Sequence, residues 1–122
     1  FASAYIFLLK MRFENNLQFD IQIAKSFEDY RLPPMAVQVL IENAVKHNEI
    51  SDRKPLTIHI VTNNEGYLSV SNYIQPKRTA ASGTGIGLVN LAKRYRLLFK
   101  QDIQITEDKE FSVCIPLIDE VQ

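Results

Sequence analysis

The sequence predicts an α+β fold, a two-layer sandwich with helices packed on one face of a mixed β-sheet. Three observations carry that prediction. Segments of period-2 alternation occur in pairs joined by short turns. Two long segments show helical spacing of apolar residues. Strands and helices do not alternate strictly, which argues against a doubly wound parallel sheet. The 122 residues fit one domain.

Ala4 to Phe13 reads as the end of a helix, so residues 1–13 are assigned to a preceding helix or linker and 14–122 to the domain itself. Leu17, Phe19, Ile21 and Ile23 alternate with polar residues, as in a strand with one buried face. Lys25 to Arg31 is a polar connection. Pro33 and Pro34 suit a first helical turn, where an N–H has no partner to lose. Val37, Leu40, Ile41, Ala44 and Val45 then form an apolar stripe, opposite a face bearing Gln38, Glu42, Asn43, Lys46 and His47. That helix is expected to end near Asn48.

Leu56, Ile58 and Ile60 predict a strand, Asn63 to Gly66 a turn, and Leu68 and Val70 the return strand of a hairpin. Periodicity is lost from Tyr73 to Gly87, a stretch holding three of the four glycines, and a segment of that length reads as a functional loop or lid. Leu88, Leu91, Ala92, Tyr95, Leu98 and Phe99 predict a further amphipathic helix with Tyr95 in the core. Ile103 and Ile105 predict a strand, and Phe111, Val113, Ile115 and Leu117 the last one.

Composition excludes several classes. Fourteen basic and fourteen acidic residues cancel, so no broad field attracts nucleic acid or a membrane surface, and any anion site must be built locally. Hydrophobic residues at 46% with charged residues at 23% read as a folded globular chain. The single cysteine, Cys114, cannot form an internal disulfide and sits in an alternating apolar run that predicts a buried, inert thiol. No apolar run is long enough for a bilayer, and the apolar start lacks the basic flank and cleavage site of a signal peptide. With no initiator Met, the chain reads as a fragment of something longer.

Two groups of residues point to chemistry. Glu42, Asn43, Lys46 and His47, at helical spacings of three and four, are expected on one side of a helix and offer a carboxylate, an amide oxygen, an ammonium and an imidazole. That set suits a metal–triphosphate: hard oxygen for Mg²⁺, a cation for phosphate, a hydrogen-bonding ring. Gly83-Thr84-Gly85-Ile86-Gly87 stands before the next helix, where glycine allows close backbone approach and free N–H groups favour an anion. It lacks the Lys-Ser/Thr of a Walker loop and the spacing of a dinucleotide fingerprint. His59 in its strand has no metal-ligand partner at useful spacing, and Lys77 and Arg78 read equally as cations that reach phosphate when a lid closes or as part of a solvated loop.

Together, Ile41-Glu42-Asn43-Ala44-Val45-Lys46-His47 and Gly83-Thr84-Gly85-Ile86-Gly87-Leu88 resemble the N box and second glycine box of the GHKL ATP-binding superfamily. With Leu32-Pro33-Pro34, Gln38, Leu40, Asn90-Leu91 and Lys93-Arg94-Tyr95, the pattern is similar to LytS-type sensor histidine kinases, particularly a form common in Bacteroidetes, from Arg12 to Leu117. The resemblance implies the Bergerat fold and an ATP-binding catalytic domain with ATP and Mg²⁺ as cofactors. Asn43 would coordinate Mg²⁺, Lys46 would contact phosphate, and His47 would line the phosphate path. Gly83, Thr84, Gly85, Ile86, Gly87 and Leu88 would close over the triphosphate. Glu42 matches an acidic residue that serves as general base in the ATPase branch. Asn72 stands where the family has an adenine-binding Asp, with no glycine following. An amide still offers an acceptor and donors to adenine.

The resemblance further implies transfer of the γ-phosphoryl to a histidine on a dimerisation domain absent from this chain. The expected parent is a homodimeric, membrane-anchored bacterial sensor with this domain in the cytoplasm and a response regulator downstream, the fragment itself making no direct membrane contact. It should bind nucleotide without autophosphorylating. Two other readings stand beside it: a GHKL ATPase in which Glu42 activates water, and an interaction module with a degenerate adenine pocket.

Overall fold

A computed structural model describes residues 3–27, 35–77 and 86–118. The first helix, α1 (Ser3–Phe13), turns Ile6 and Leu9 inward and leaves Phe7, Leu8 and Met11 exposed. Strand β1 (Leu17–Gln22) follows, then α2 (Ala36–His47), β2 (Leu56–Thr62), β3 (Tyr67–Tyr73), α3 (Ile86–Phe99), β4 (Gln104–Glu107) and β5 (Glu110–Pro116). The sheet order is β1-β2-β3-β5-β4, with β1 parallel to β2 and every other pair antiparallel. The expected mixed sheet with hairpins is therefore present. A parallel pair needs a long crossover, and α2 supplies it. The β2–β3 turn is held by Asn63, whose Oδ1 accepts the backbone N–H groups of Glu65 and Tyr67 at 2.9 and 3.0 Å. Gly66 occupies the left-handed region at φ 84°, where a side chain would be strained.

One face of the sheet meets the helices. Leu17, Leu56, Ile58, Ile60, Leu68, Val70, Val113 and Ile115 pack there under Val37, Leu40, Ile41 and Ala44 of α2 and Leu91 and Tyr95 of α3. Full burial of one such aliphatic side chain stabilises by about 1.5–3 kcal/mol. The Tyr95 hydroxyl donates to the Pro116 carbonyl at 2.9 Å, which satisfies the only polar atom of a fully buried ring, and that burial raises its pKa. The opposite face carries Asp20, His59, Ser69, Ser71, Ser112 and Cys114, as the pairing register requires.

Several expectations are corrected here. Ile21, Ile105 and Leu98 follow the predicted periodicity but are 42%, 48% and 60% exposed. The first two lie on the edge strands β1 and β4, and Leu98 lies off the inward stripe of α3, which Leu91, Tyr95 and Phe99 occupy. Cys114 is half-buried on the outer face, because its neighbours Val113 and Ile115 take the inner one. Helix α3 begins at Ile86 and β4 at Gln104, so Gly87 belongs to a first helical turn and Ile103 precedes its strand. Leu32 to Pro34, Arg78 and Gly83 to Gly85 lie outside the described residues.

Candidate functional site

Helix α2 separates two depressions. The first is a cleft of about 360 Å³, within the usual range for a small-molecule site. Asn43 and His47, one helical turn apart, contribute from α2, with Asn48 at its end; Leu88 comes from the first turn of α3; Ile74 and Pro76 follow β3; Glu107 and Phe111 belong to the β4–β5 hairpin. The start of α3 is held close to α2. A Cβ added at Gly87 would lie 3.3 Å from Cγ1 of Val39, so glycine there permits the approach. The first N–H groups of a helix have no intrahelical acceptor. Leu88, in the first turn of α3, shares the cleft with Asn43 and His47, and a helix start of this kind favours an anion.

The second depression, a groove of about 460 Å³, takes the two charged residues Glu42 and Lys46 of α2. Glu42 and Lys46 line it, facing Tyr5, Arg12 and Phe13 at α1, with Lys77 after β3. Burial raises the Tyr5 pKa most, the Glu42 carboxylate adds to the rise, and Arg12 opposes it. The four residues expected on one side thus divide into two pairs. Spacing of four keeps Asn43 with His47 and Glu42 with Lys46, while adjacent residues diverge by about 100° around the axis. Glu42 also accepts a hydrogen bond from Gln38 Nε2 at 3.3 Å.

Asn48 lines both depressions and escaped the sequence reading as anything but a helix end. It is 5% exposed. Its Nδ2 donates to the Ala44 carbonyl at 2.8 Å, and its Oδ1 accepts the Gln75 N–H at 2.7 Å. The Glu49 N–H donates to the Gln75 carbonyl at 2.6 Å, and Gln75 Nε2 donates to the carbonyls of Glu49 and Lys54. These bonds fasten the end of α2 to the wall formed by Ile74 and Pro76. A helix-ending Asn flanked by a loop was the only sequence signal for it, and such residues are common caps.

Asn72 is 1% exposed on β3 and pairs in register with Phe111, which lines the cleft; Asn72 itself is not among the cleft's lining residues. Its Nδ2 donates to the Tyr73 carbonyl at 2.8 Å. Gly87 lies in the first turn of α3, and of Ile86 only the backbone is described. His59, on the outer sheet face, bonds Asp20 through Nδ1 at 2.9 Å and takes no part in the cleft. No group of three or more His, Cys, Asp or Glu is arranged for a metal among the described residues. The Asn43 carboxamide has no hydrogen-bond partner among them either, so its oxygen suits an ion shared with ligand oxygens and water.

This arrangement, helices on one face of a mixed sheet with a cleft between α2 and the start of α3, is the fold of histidine kinase catalytic domains. The catalytic domain of the histidine kinase ThkA, solved nucleotide-free, superposes with a TM-score of 0.59 at 19% identity, covering 97% of this chain and 91% of that one. No family model matches the chain. Sequence carries the assignment further: the sensor protein LytS of Streptococcus mutans is 36% identical over 88% of this chain, and LytS of Enterococcus faecalis 29% over 80%. The sensor histidine kinase BtsS of Escherichia coli K12 is 32% identical over 86%. The chain is a catalytic-domain homologue of the LytS-type sensor histidine kinases. It spans about a fifth of the length of these relatives (19–21%). No helix among the described residues is long and apolar enough to cross a membrane.

Proposed function

We propose that the chain binds Mg–ATP in the cleft between α2, the first turn of α3 and the β4–β5 hairpin, and presents the γ-phosphoryl to a histidine on a dimerisation domain of the same parent protein. The observation that supports this most is the convergence of Asn43, His47 and the α3 start on one cleft. The Asn43 oxygen would hold Mg²⁺, which supplies charge neutralisation along the phosphates. The free amides of α3 and the His47 ring would orient the triphosphate, with Gly83, Thr84 and Gly85 completing the loop. Lys46 faces the neighbouring groove, so its contact with phosphate requires the tail to pass the end of α2 near Asn48.

Transfer would break the bond between the γ-phosphorus and the β–γ bridging oxygen as a ring nitrogen of the acceptor histidine bonds to that phosphorus. ADP leaves with the electron pair. Such chemistry rests on positioning and charge stabilisation and needs no nucleophile in this chain. The parent would be a homodimeric, membrane-anchored sensor with this domain in the cytoplasm, passing its phosphoryl group to a response regulator.

Calorimetric titration with Mg–ATP tests the reading. The chain should bind, and Asn43→Ala should weaken binding by about tenfold, equivalent to about 1.4 kcal/mol. Absence of binding at millimolar nucleotide, or an affinity unchanged from the native chain in both Asn43→Ala and Asn43→Asp, would overturn it.

A further inference from the structure

The carboxylate in the cleft has no role in the reading above. Glu107 closes β4 and lines the same cleft as Asn43 and His47. The pairing register sets Asn72, Phe111 and Glu107 in one transverse row, since Asn72 pairs with Phe111 and Phe111 with Glu107. Within that row Asn72 is buried and spends its Nδ2 on the Tyr73 carbonyl. Glu107 is exposed and reaches the cleft. A carboxylate repels a triphosphate, so the part of a nucleotide that Glu107 tolerates beside it is the base. Beside it the cleft wall is apolar, with Phe111, Ile74 and Pro76, and suits a planar ring.

We infer that Glu107 is a specificity-determining residue of this cleft, its carboxylate accepting a hydrogen bond from the exocyclic amino group of the bound nucleobase. This rests on the proposed nucleotide site and adds to it the group that reads the base. An ionised acceptor bonds an N–H more strongly than a neutral amide does. Glu107 thereby supplies a negative acceptor in a row where Asn72, buried beside Phe111, has only a neutral amide.

The test is a calorimetric comparison of Mg–ATP with Mg–purine riboside triphosphate, which lacks the 6-amino group, and with Mg–GTP. The native chain should bind ATP about tenfold more tightly than the des-amino analogue, the scale of one charge-assisted bond. Glu107→Ala should remove most of that ratio while leaving the affinity for the analogue unchanged, and Glu107→Gln should give an intermediate ratio. Glu107 is exposed, so both variants should keep the native thermal midpoint. Asn43→Ala should weaken both ligands equally. Tighter binding of GTP than ATP, erased by Glu107→Ala, would support the same residue reading the amino edge of guanine instead. Native binding of ATP and the analogue with equal affinity would overturn the inference and leave the nucleotide site standing. So would a ratio that survives Glu107→Ala but disappears in Asn72→Ala or Asn72→Asp. If none of the three nucleotides binds, the site and the inference fall together.

Discussion

The two flanks of α2 differ in what they offer a ligand. The Asn43–His47 side is walled by Leu88, Ile74, Pro76 and Phe111 and presents an amide and a ring next to the first turn of α3. The Glu42–Lys46 side is open and charged, with Arg12 and Lys77 opposite. Fixed dipoles among apolar walls hold a ligand in one orientation, because water competes little with them. Exposed charges attract from a distance, but salt and water screen them. Adjacent residues of one helix therefore face unlike surroundings, and the bonds of Asn48 tie the end of α2 to the segment after β3.

The largest effect should come from breaking that junction. In Asn48→Ala the partly buried N–H of Gln75 loses its acceptor, which should cost about 1–3 kcal/mol. Urea denaturation should show the lower midpoint, and Mg–ATP affinity should fall as the wall at Ile74 and Pro76 loosens. A variant with native stability and native affinity would show that the two walls are independent. Tyr95→Phe provides a stability control away from both flanks. It leaves the Pro116 carbonyl without its donor, should cost about 1–2 kcal/mol on the same urea scale, and should leave nucleotide binding unaltered.

Exchanging single residues sharpens the contrast between flanks. Glu42→Gln should leave stability within about 0.5 kcal/mol and Mg–ATP affinity nearly unchanged, whereas Asn43→Ala should weaken binding. A loss of affinity in Glu42→Gln as large as that in Asn43→Ala would mean that both flanks hold one ligand. The smallest effect belongs to the outer face of the sheet. The Asp20 carboxyl is held below its ordinary pKa, first by the Gln22 amide and then by His59. A depressed folded pKa gives stability that is complete above the unfolded pKa, about 4, and is lost as pH falls through the folded value. Thermal midpoints of wild type and Asp20→Asn should therefore differ slightly near neutrality and converge in acid.

Fold class, element order and the pair Asn43 and His47 were legible in the sequence because periodicity reports which residues share a face. Leu40, Ile41 and Ala44 on one helix, and Ile58 and Ile60 on one strand, needed no further information. Periodicity carries no measure of how far the opposing layer extends, and for that reason it marks Ile21 and Ile105 on the edge strands as buried, while on α3 it does not separate exposed Leu98 from Phe99, which packs on the core. It likewise treats Glu42, Asn43, Lys46 and His47 as one face, although α1 and α3 approach α2 from different sides and divide them.

The linear pattern alone established a mixed sheet under amphipathic helices, with an amide and an imidazole one turn apart on the polar side of the central helix. Tertiary structure alone decided that Asn48 joins the walls, that Asn72 is buried beside Phe111, and that Glu107, some sixty residues from Asn43, opens into the same cleft. Local sequence encodes a period and a cap, whereas a cavity exists only where segments distant in the chain are brought together by sheet register and helix packing.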